Sequence, residues 1–335
     1  MDTEKFHMEK VSASDPADMM SAGVHIPVML EEVVSFLRPC LGGDLLDGTL
    51  GGGGHAIAAL EASGGGGRLL GLDRDQHALT VARQRLEPFA SQCVFVHANF
   101  SQAPDVLREL DWNGVDGVLL DLGFSSLQIE DGDRGFSFLR PGPLDMRMDQ
   151  HEEQYAADIV NHGSQDELQG IFREFGEERA ARALARAIIR TRSEDPITTT
   201  TALVEIIERV IRPTSRTQMH PATRAFQALR IAVNQELQHL ETFLREGYRL
   251  LRPMGRMLIL SYHSLEDRLV KKAFRRWAST CVCPPQLPVC ACGWTPQARL
   301  LTTKPLTPRP EEVLTNPRAR SARLRAVEKR VEGEA

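Results

Sequence analysis

Apolar positions along the chain keep one period for a stretch and then switch, and each switch predicts an element boundary. In residues 25–37 (HIPVMLEEVVSFL), Met29, Val33, Val34 and Leu37 recur at helical spacing and predict a helix with one buried face. Short apolar runs follow: one closed by Asp47, one over Arg68–Asp73, one over Val94–Phe100 and one over Val115–Gly123. These read as strands, and the segments between them are helix-prone, 55–62 and 75–87 most clearly. Strands alternating with helices at this spacing predict a parallel sheet covered on both faces, a Rossmann-like doubly wound α/β fold.

The alternation then stops. Residues 125–150 are turn-rich, and the pattern up to about 215 is helical. Ser164-Gln-Asp-Glu167 is a capping box, with Gly176 placed to end the helix it opens. A very basic helix is predicted over 177–192, and Leu203, Ile206, Ile207, Val210 and Ile211 mark the buried face of the next. Pro221 suits the first position of one long helix carrying Phe226, Leu229, Val233, Leu237, Leu240 and Leu244 to the core. A fifth strand over 253–261 resumes the sheet. The predicted organisation is discontinuous: 1–24 a disordered extension, 25–130 with 235–335 the sheet domain, and 131–234 an inserted helical domain.

Composition narrows the class more than the function. Of 335 residues, 42% are hydrophobic and 25% charged, the balance of a globular protein. No run approaches the ~20 apolar residues that span a bilayer, and the polar N-terminal stretch lacks the apolar centre of a signal peptide. The cysteines do not read as a secreted disulfide framework, so a reducing cytoplasm is the expected compartment. A net charge of -5 does not point to nucleic acid, but its distribution does. Residues 316–330 carry Arg318, Arg320, Arg323, Arg325, Lys329 and Arg330 against Glu328 alone. Such a strip is either a phosphate contact or a solvated basic tail.

The chemistry concentrates in Asp44–His55, where Asp47 closes a strand and Gly51–Gly54 precede a helix. The glycines allow a ligand to lie on bare backbone. In nicotinamide-dinucleotide sites the glycines follow the strand directly and receive a pyrophosphate. Here an acid intervenes, which suits a ligand that is positive nearby. S-adenosylmethionine, with an ammonium and a sulfonium and no phosphate, fits. Asp73, ending the second strand, can accept hydrogen bonds from both ribose hydroxyls. A nicotinamide dinucleotide and a glycine turn that binds nothing are the competing readings. Asp121 ends the fourth strand, in Asp-Leu-Gly-Phe-Ser-Ser126. The Pro-Pro-aromatic loop frequent in amine methyltransferases is absent there, yet a carboxylate followed by a glycine and two hydroxyls can accept from an amino group. Ser125 and Ser126 read equally well as ordinary loop hydroxyls.

Several ordered motifs carry a resemblance. His25-Ile-Pro-Val-Met-Leu-Glu, the loop ending Gly-Gly-His55, Asp121-Leu-Gly-Phe-Ser-Ser-Leu-Gln128, Arg134-Gly-Phe-Ser-Phe and Pro143-Leu-Asp-Met-Arg-Met-Asp149 come first. Phe175-Gly-Glu-Glu-Arg179, His220–Ile231, Ser261–Arg268 and Asn316–Arg325 follow. Together, from residue 25 to about 328, they resemble the RsmH (MraW) family. The resemblance implies a class I S-adenosylmethionine-dependent methyltransferase fold with an inserted α-helical substrate-recognition domain. It implies methylation of the exocyclic N4 of a cytidine in the decoding region of small-subunit (16S) ribosomal RNA. Carried over by motif, the cofactor contacts fall on Gly53, Gly54, His55, Asp73, Phe100, Asp121 and Gln128, with Asp121 also the candidate catalytic residue. Ala56, where serine is common, and Tyr262, where phenylalanine is common, are mild departures.

RNA recognition is expected from the insert and the basic strip. Arg179, Arg182, Arg186, Arg190 and Arg192 recur near helical spacing, against the alternative of a solvated face paired with Glu177 and Glu178. His263, Glu266 and Asp267 read either as substrate contacts or as a structural network. Carbon-5 methylation of cytosine needs a cysteine nucleophile, and neither Cys40 nor Cys93 falls in a crevice loop. No metal is assigned to the reaction site. Cys281-Val-Cys283 and Cys290-Ala-Cys292 could bind one zinc structurally, although C-x-C pairs are less usual than C-x-x-C; free thiols in a loop are the alternative. Homodimerisation stays open.

Overall fold

The computed structural model describes residues 27–40, 42–212, 220–284, 287 and 289–331. The extension expected over 1–24 lies outside them. A sheet of seven strands has the order β3-β2-β1-β4-β5-β7-β6. β1 (Asp44–Asp47), β2 (Arg68–Asp73), β3 (Cys93–His97), β4 (Val115–Asp121) and β5 (Leu251–Ser261) run parallel. β7 (Arg323–Lys329) lies antiparallel between β5 and β6 (Ala298–Leu300).

The strands are apolar on both faces, as strands covered on both sides must be. Leu46, Leu70, Leu72, Val118, Leu120, Met257 and Ile259 point one way. They pack under α4 (Ala103–Glu109), α11 (Glu236–Glu246) and α12 (Ser264–Ala278). Their neighbours Leu45, Leu69, Leu119, Leu258 and Leu260 point the other way. These meet α1 (Leu30–Leu37), α2 (Gly54–Ala62) and α3 (Gln76–Arg85). The period of two along each strand thus feeds two cores. α13 (Pro310–Thr315) lies against α1, where Glu312 Oε1 accepts the Met29 amide at 2.6 Å.

Between β4 and β5 the chain forms α5 (Ser126–Glu130) and then a helical layer. That layer comprises α6 (Ala156–His162), α7 (Gln165–Glu174), α8 (Ala181–Arg192), α9 (Thr200–Val210) and α10 (Ala222–Asn234). It has its own core, built on Leu168, Phe172, Leu184, Ile188, Leu203, Ile207, Phe226 and Leu229. Ser164 caps α7 as expected, with its hydroxyl on the Glu167 amide and the Glu167 carboxylate on its own.

Three expectations change. The third strand ends at His97, because the Asn99 side chain accepts the Ser101 amide at 2.9 Å and turns the chain. The single long helix after Pro221 is two helices, α10 and α11. Gln235 between them is left-handed, with φ 47° and ψ 34°. The break is held by Asn234, which accepts the Met148 amide (2.8 Å) and donates to Met146 O (2.7 Å) and Arg230 O (2.9 Å). Arg230 clamps Glu236 bidentately across it at 2.8 and 2.9 Å.

The basic strip is the third change. It is not a solvated tail, because its second half is a strand of the sheet: Arg325 is buried and grips Asp267 of α12, with Nε to Oδ1 at 2.6 Å. Arg323 reaches the same carboxylate at 3.1 Å. Removing everything after Asn316 would take β7 out of the sheet, so such a truncation tests folding, not RNA binding.

Replacing Asn234 with alanine leaves the buried Met148 amide without an acceptor. The cost of such a group, roughly 1–3 kcal/mol, should appear as a lower denaturant midpoint in chemical unfolding. An unchanged midpoint would mean that the helix break is held by something else.

Candidate active site

The carboxyl ends of β1, β2 and β4 bring together three acids, and the sheet order places them where connections diverge to either side of β1 and β4. Ligands in open α/β sheets bind at such a point. Asp47, at the end of β1, is buried, and its carboxyl is pushed up to about 7 by that burial, with Asp121 and Asp73 adding repulsion. Asp73 keeps an edge toward the crevice, yet its carboxyl lies deep enough for burial to raise it to about 6. It accepts the Gly51 amide at 2.7 Å and the Asp75 amide at 2.8 Å. So much desolvated negative charge with no side-chain cation against Asp47 or Asp73 among the described hydrogen bonds is what a cationic ligand would relieve.

The loop between β1 and α2 explains why its motif is written as it is. Gly51 adopts φ 52° under the pull of Asp73, and the space where its Cβ would stand is open to 4.0 Å. Bare backbone therefore faces the crevice there. At Gly54 the reason is different: a Cβ would lie 2.5 Å from Pro27 Cγ. Pro27 and Val28 belong to the segment before α1, and Val28 O accepts from His55 Nε2 at 2.9 Å. A carbonyl only accepts, so Nε2 carries the proton and Nδ1 faces Asp121 Oδ2 at 3.7 Å. The N-terminal motif and the glycine loop are thus one interlocked unit. Phe100, outside its predicted strand, packs edge-on to Phe243 and beside Gly48, where a Cβ would come within 2.9 Å of its own.

Asp121 is the most heavily positioned of the predicted residues. Its amide donates to Thr49 Oγ1 at 2.6 Å, and Thr49 in turn donates its amide to Asp47 Oδ1 at 3.1 Å. Tyr262 Oη donates to Asp121 Oδ1 at 2.6 Å, which with burial holds the phenol well above its usual pKa. Beyond Asp121 the chain turns at Gly123 (φ 99°) and presents Phe124, which is 39% exposed. Phe124 stacks on Phe136 at 5.9 Å, and Arg230 lies over its ring at 4.7 Å.

Gln128 stands apart from this cluster. Its Oε1 accepts the Ser125 amide at 2.9 Å and its Nε2 donates to Asp75 Oδ2 at 2.8 Å. Arg134 binds the same Asp75 oxygen at 2.9 Å. Gln128 therefore fastens the Asp121 loop to the N-terminus of α3, and Ser125 is the cap of α5. Ser126 accepts from Arg318, which also pairs with Glu130 at 3.0 Å.

Among the residues left between two readings, Asp267 is structural, spent on Arg323 and Arg325. Glu266 caps α12 and accepts the Tyr262 amide at 2.8 Å. Burial pushes its carboxyl up, but His263, Arg230 and that amide outweigh burial and leave it below the ordinary range. Glu177 and Glu178 are not partners for the arginines of α8. Glu177 holds Ser264 and Arg268, and Glu178 accepts the Ala180 amide. Arg182, Arg186 and Arg190 are exposed, while Arg192 donates to Val160 O. Cys40 packs beside Gly117 on the amino-terminal half of β4, away from the acids, with burial raising its thiol. Thr49 and Tyr262 are the site residues that motif reading undervalued; Tyr262 showed only as a departure, and Thr49 gave no signal of its own.

Strand order, bare glycine backbone and strand-terminal acids define a class I S-adenosylmethionine-dependent methyltransferase. The chain belongs to the MraW methylase family, whose sequence model matches residues 22–330. A relative from Geobacter sulfurreducens, named ribosomal RNA small subunit methyltransferase H, is 52% identical over 306 residues, covering 91% of this chain and 98% of its own. One of the same name from Pelobacter propionicus is 50% identical over 312 residues, covering 92% and 100%. Among solved structures, an rRNA methylase from Streptococcus thermophilus aligns with a TM-score of 0.39 at 11% identity, over 92% of this chain and 99% of that one.

The acids give the site a pH signature. Carboxyls raised from 3.8 to about 7 and about 6 favour folding while protonated, so their contribution is complete below about 4 and is lost as pH rises through 6 to 7. A cationic ligand offsets that loss. Stabilisation by S-adenosylmethionine in thermal unfolding should therefore grow between about pH 5.5 and about pH 8. Asp47→Asn should flatten the growth; an unchanged profile in that variant would remove Asp47 from the cofactor's surroundings.

Proposed function

We propose that the chain methylates the exocyclic N4 of a cytidine in the decoding region of small-subunit (16S) ribosomal RNA, in the cytoplasm. The relatives named as ribosomal RNA small subunit methyltransferases support the substrate class. The observation that carries the amine chemistry is Asp121, an oriented carboxylate at a crevice, followed by an exposed aromatic ring.

The residues present fit the cofactor: an open backbone edge at Gly51, and desolvated acids suited to a cation. Gly53, Gly54 and His55 shape the loop that would hold it, with Asp73 for the ribose hydroxyls and Phe100 as an apolar wall. Gln128 serves by fixing the Asp121 loop. When bound, S-adenosylmethionine supplies an activated methyl on a sulfonium. The chain's own task is alignment, which can contribute about 7–11 kcal/mol. The lone pair of a cytosine amine is delocalised into the ring. Asp121 accepts the N–H and helps the nitrogen pyramidalise, while Tyr262 and Thr49 hold that carboxylate in place. Phe124 offers a face for a base drawn out of its stack. No strong general base is required, because the methylated cationic amine loses its proton readily.

Residues 131–234 serve as the substrate-recognition domain, with Arg182, Arg186 and Arg190 spaced one turn apart along α8.

Mass spectrometry of ribosomal RNA nucleosides from cells lacking the protein should show loss of N4-methylcytidine; an unchanged level sinks the assignment and leaves another RNA or DNA as the substrate. Asp121→Ala should abolish methylation while RNA binding stays within a few-fold, whereas retained turnover would take Asp121 out of the chemistry. Changing Arg182, Arg186 and Arg190 together to glutamine should weaken RNA binding and reduce the slope of log K against log salt by about 2–3. An unaltered slope would place the phosphate contacts elsewhere.

A further inference from the structure

The connection from α12 to β6 holds the cluster that the reaction does not use. Cys281, Cys283, Cys290 and Cys292 bring their sulfurs together: 3.4 Å for Cys281–Cys290, 3.5 Å for Cys290–Cys292, 3.8 Å for Cys292–Cys281 and 4.0 Å for Cys283–Cys290. All four lie within 4.8 Å of one another. None of these is a bond, since a disulfide brings its sulfurs to ~2.05 Å. Sulfurs at the corners of a tetrahedron around a cation at ~2.3 Å would stand about 3.8 Å apart. The observed separations scatter about that value.

The surroundings agree. Cysteine is among the most buried residue types, yet Cys281, Cys290 and Cys292 are exposed. They are not gathered by an apolar core, because Leu287 and Val289 beside them are 51% and 75% exposed. Backbone amides aim at the sulfurs instead: Cys283 N donates to Cys281 Sγ at 3.4 Å, and Ala291 N to Cys283 Sγ at 3.5 Å. Such amides stabilise thiolates and orient them around a metal.

We propose that these four cysteines form a structural zinc site, one ion per chain. Four thiolates in a tetrahedral set suit zinc. Each thiol gives up its proton on binding, and the zinc neither changes oxidation state nor meets substrate. The closed four-sulfur set leaves no open position for catalysis. Location says the same. Trp294, next to the cluster, packs on Tyr248 in the turn before β5, and Gln297 N donates to Trp277 O near the C-terminus of α12. That is the end of the sheet opposite the acids. The ion would take the place of a core, fixing a connection that β6 and β7 depend on.

The full-length protein, purified without a chelating tag under reducing conditions, should contain zinc at near-unit stoichiometry by elemental mass spectrometry. Cys281→Ser and Cys290→Ser should each lose it, while Cys93→Ser should keep it. Should the serine variants fail to fold, the wild-type protein gives the same answer. A thiol-blocking mercurial should release its zinc, and cobalt put in its place should show thiolate-to-metal charge-transfer absorption typical of a tetrahedral sulfur site. The proposal is overturned if the reduced protein holds no zinc and takes up neither zinc nor cobalt. It is equally overturned if the site holds iron, or if intact mass under non-reducing conditions shows the cysteines paired as disulfides.

Discussion

Three carboxylates share the end of one sheet, and much of the structure answers the cost of keeping them there. Asp47 and Asp73 resist ionisation chiefly because water is excluded from them, with repulsion from Asp121 and Asp73 added at Asp47 and from Asp75 at Asp73. Three backbone amides, those of Thr49, Gly51 and Asp75, are spent on orienting them. The remaining imbalance is what selects a positively charged donor over a phosphate-bearing cofactor. The glycines are secondary to this: they clear the way to the acids. The segment before α1 folds over the loop to keep it shaped, and neither motif has a reason to exist without the other.

The acids alone do not make a methyl-transfer site; in the function proposed above, Asp121 must also face a substrate in one orientation. The chain achieves this from several elements at once, with Thr49 from the β1 loop, Tyr262 after β5, and Gln128 pinning the loop beyond β4 to α3. Arg230, reaching from the helical layer, supports Phe124 from outside while its other contacts bind α11. The helical layer and the loop that follows Asp121 are therefore joined through Arg230. Small displacements at the helix break would be felt at the aromatic ring.

What could be read from sequence follows from locality. Short apolar runs and strand-ending acids are local, so the sheet was legible from the runs and the cofactor class from Asp47 and Asp73. The capping box at Ser164 was legible for the same reason. The break at Gln235 was not, since a glutamine in the left-handed region is sustained by Asn234 and Arg230 reaching residues distant in sequence. Arg323 and Arg325 read as part of a cationic strip because their partner Asp267 lies 56 and 58 residues earlier in the chain. Tyr262 showed only as an unusual residue, and its meaning needed the position of Asp121. The four cysteines were visible at once, but only their convergence distinguishes a metal site from loose thiols.

The position of β7 has a consequence for how the molecule comes into being. It lies between β5 and β6, and it is synthesised after both. Until it emerges, β5 presents an unpaired edge of main-chain donors and acceptors, the kind of edge on which chains associate wrongly. Asp267 meanwhile waits in α12 without the guanidinium that neutralises it. Closing the sheet therefore joins strands far apart in sequence, and contacts of that kind form slowly. The chain passes through a long interval in which its catalytic half is made but its edge is open. A strand that arrives after both of its neighbours, carrying arginines for a carboxylate already in place, is what seals the sheet.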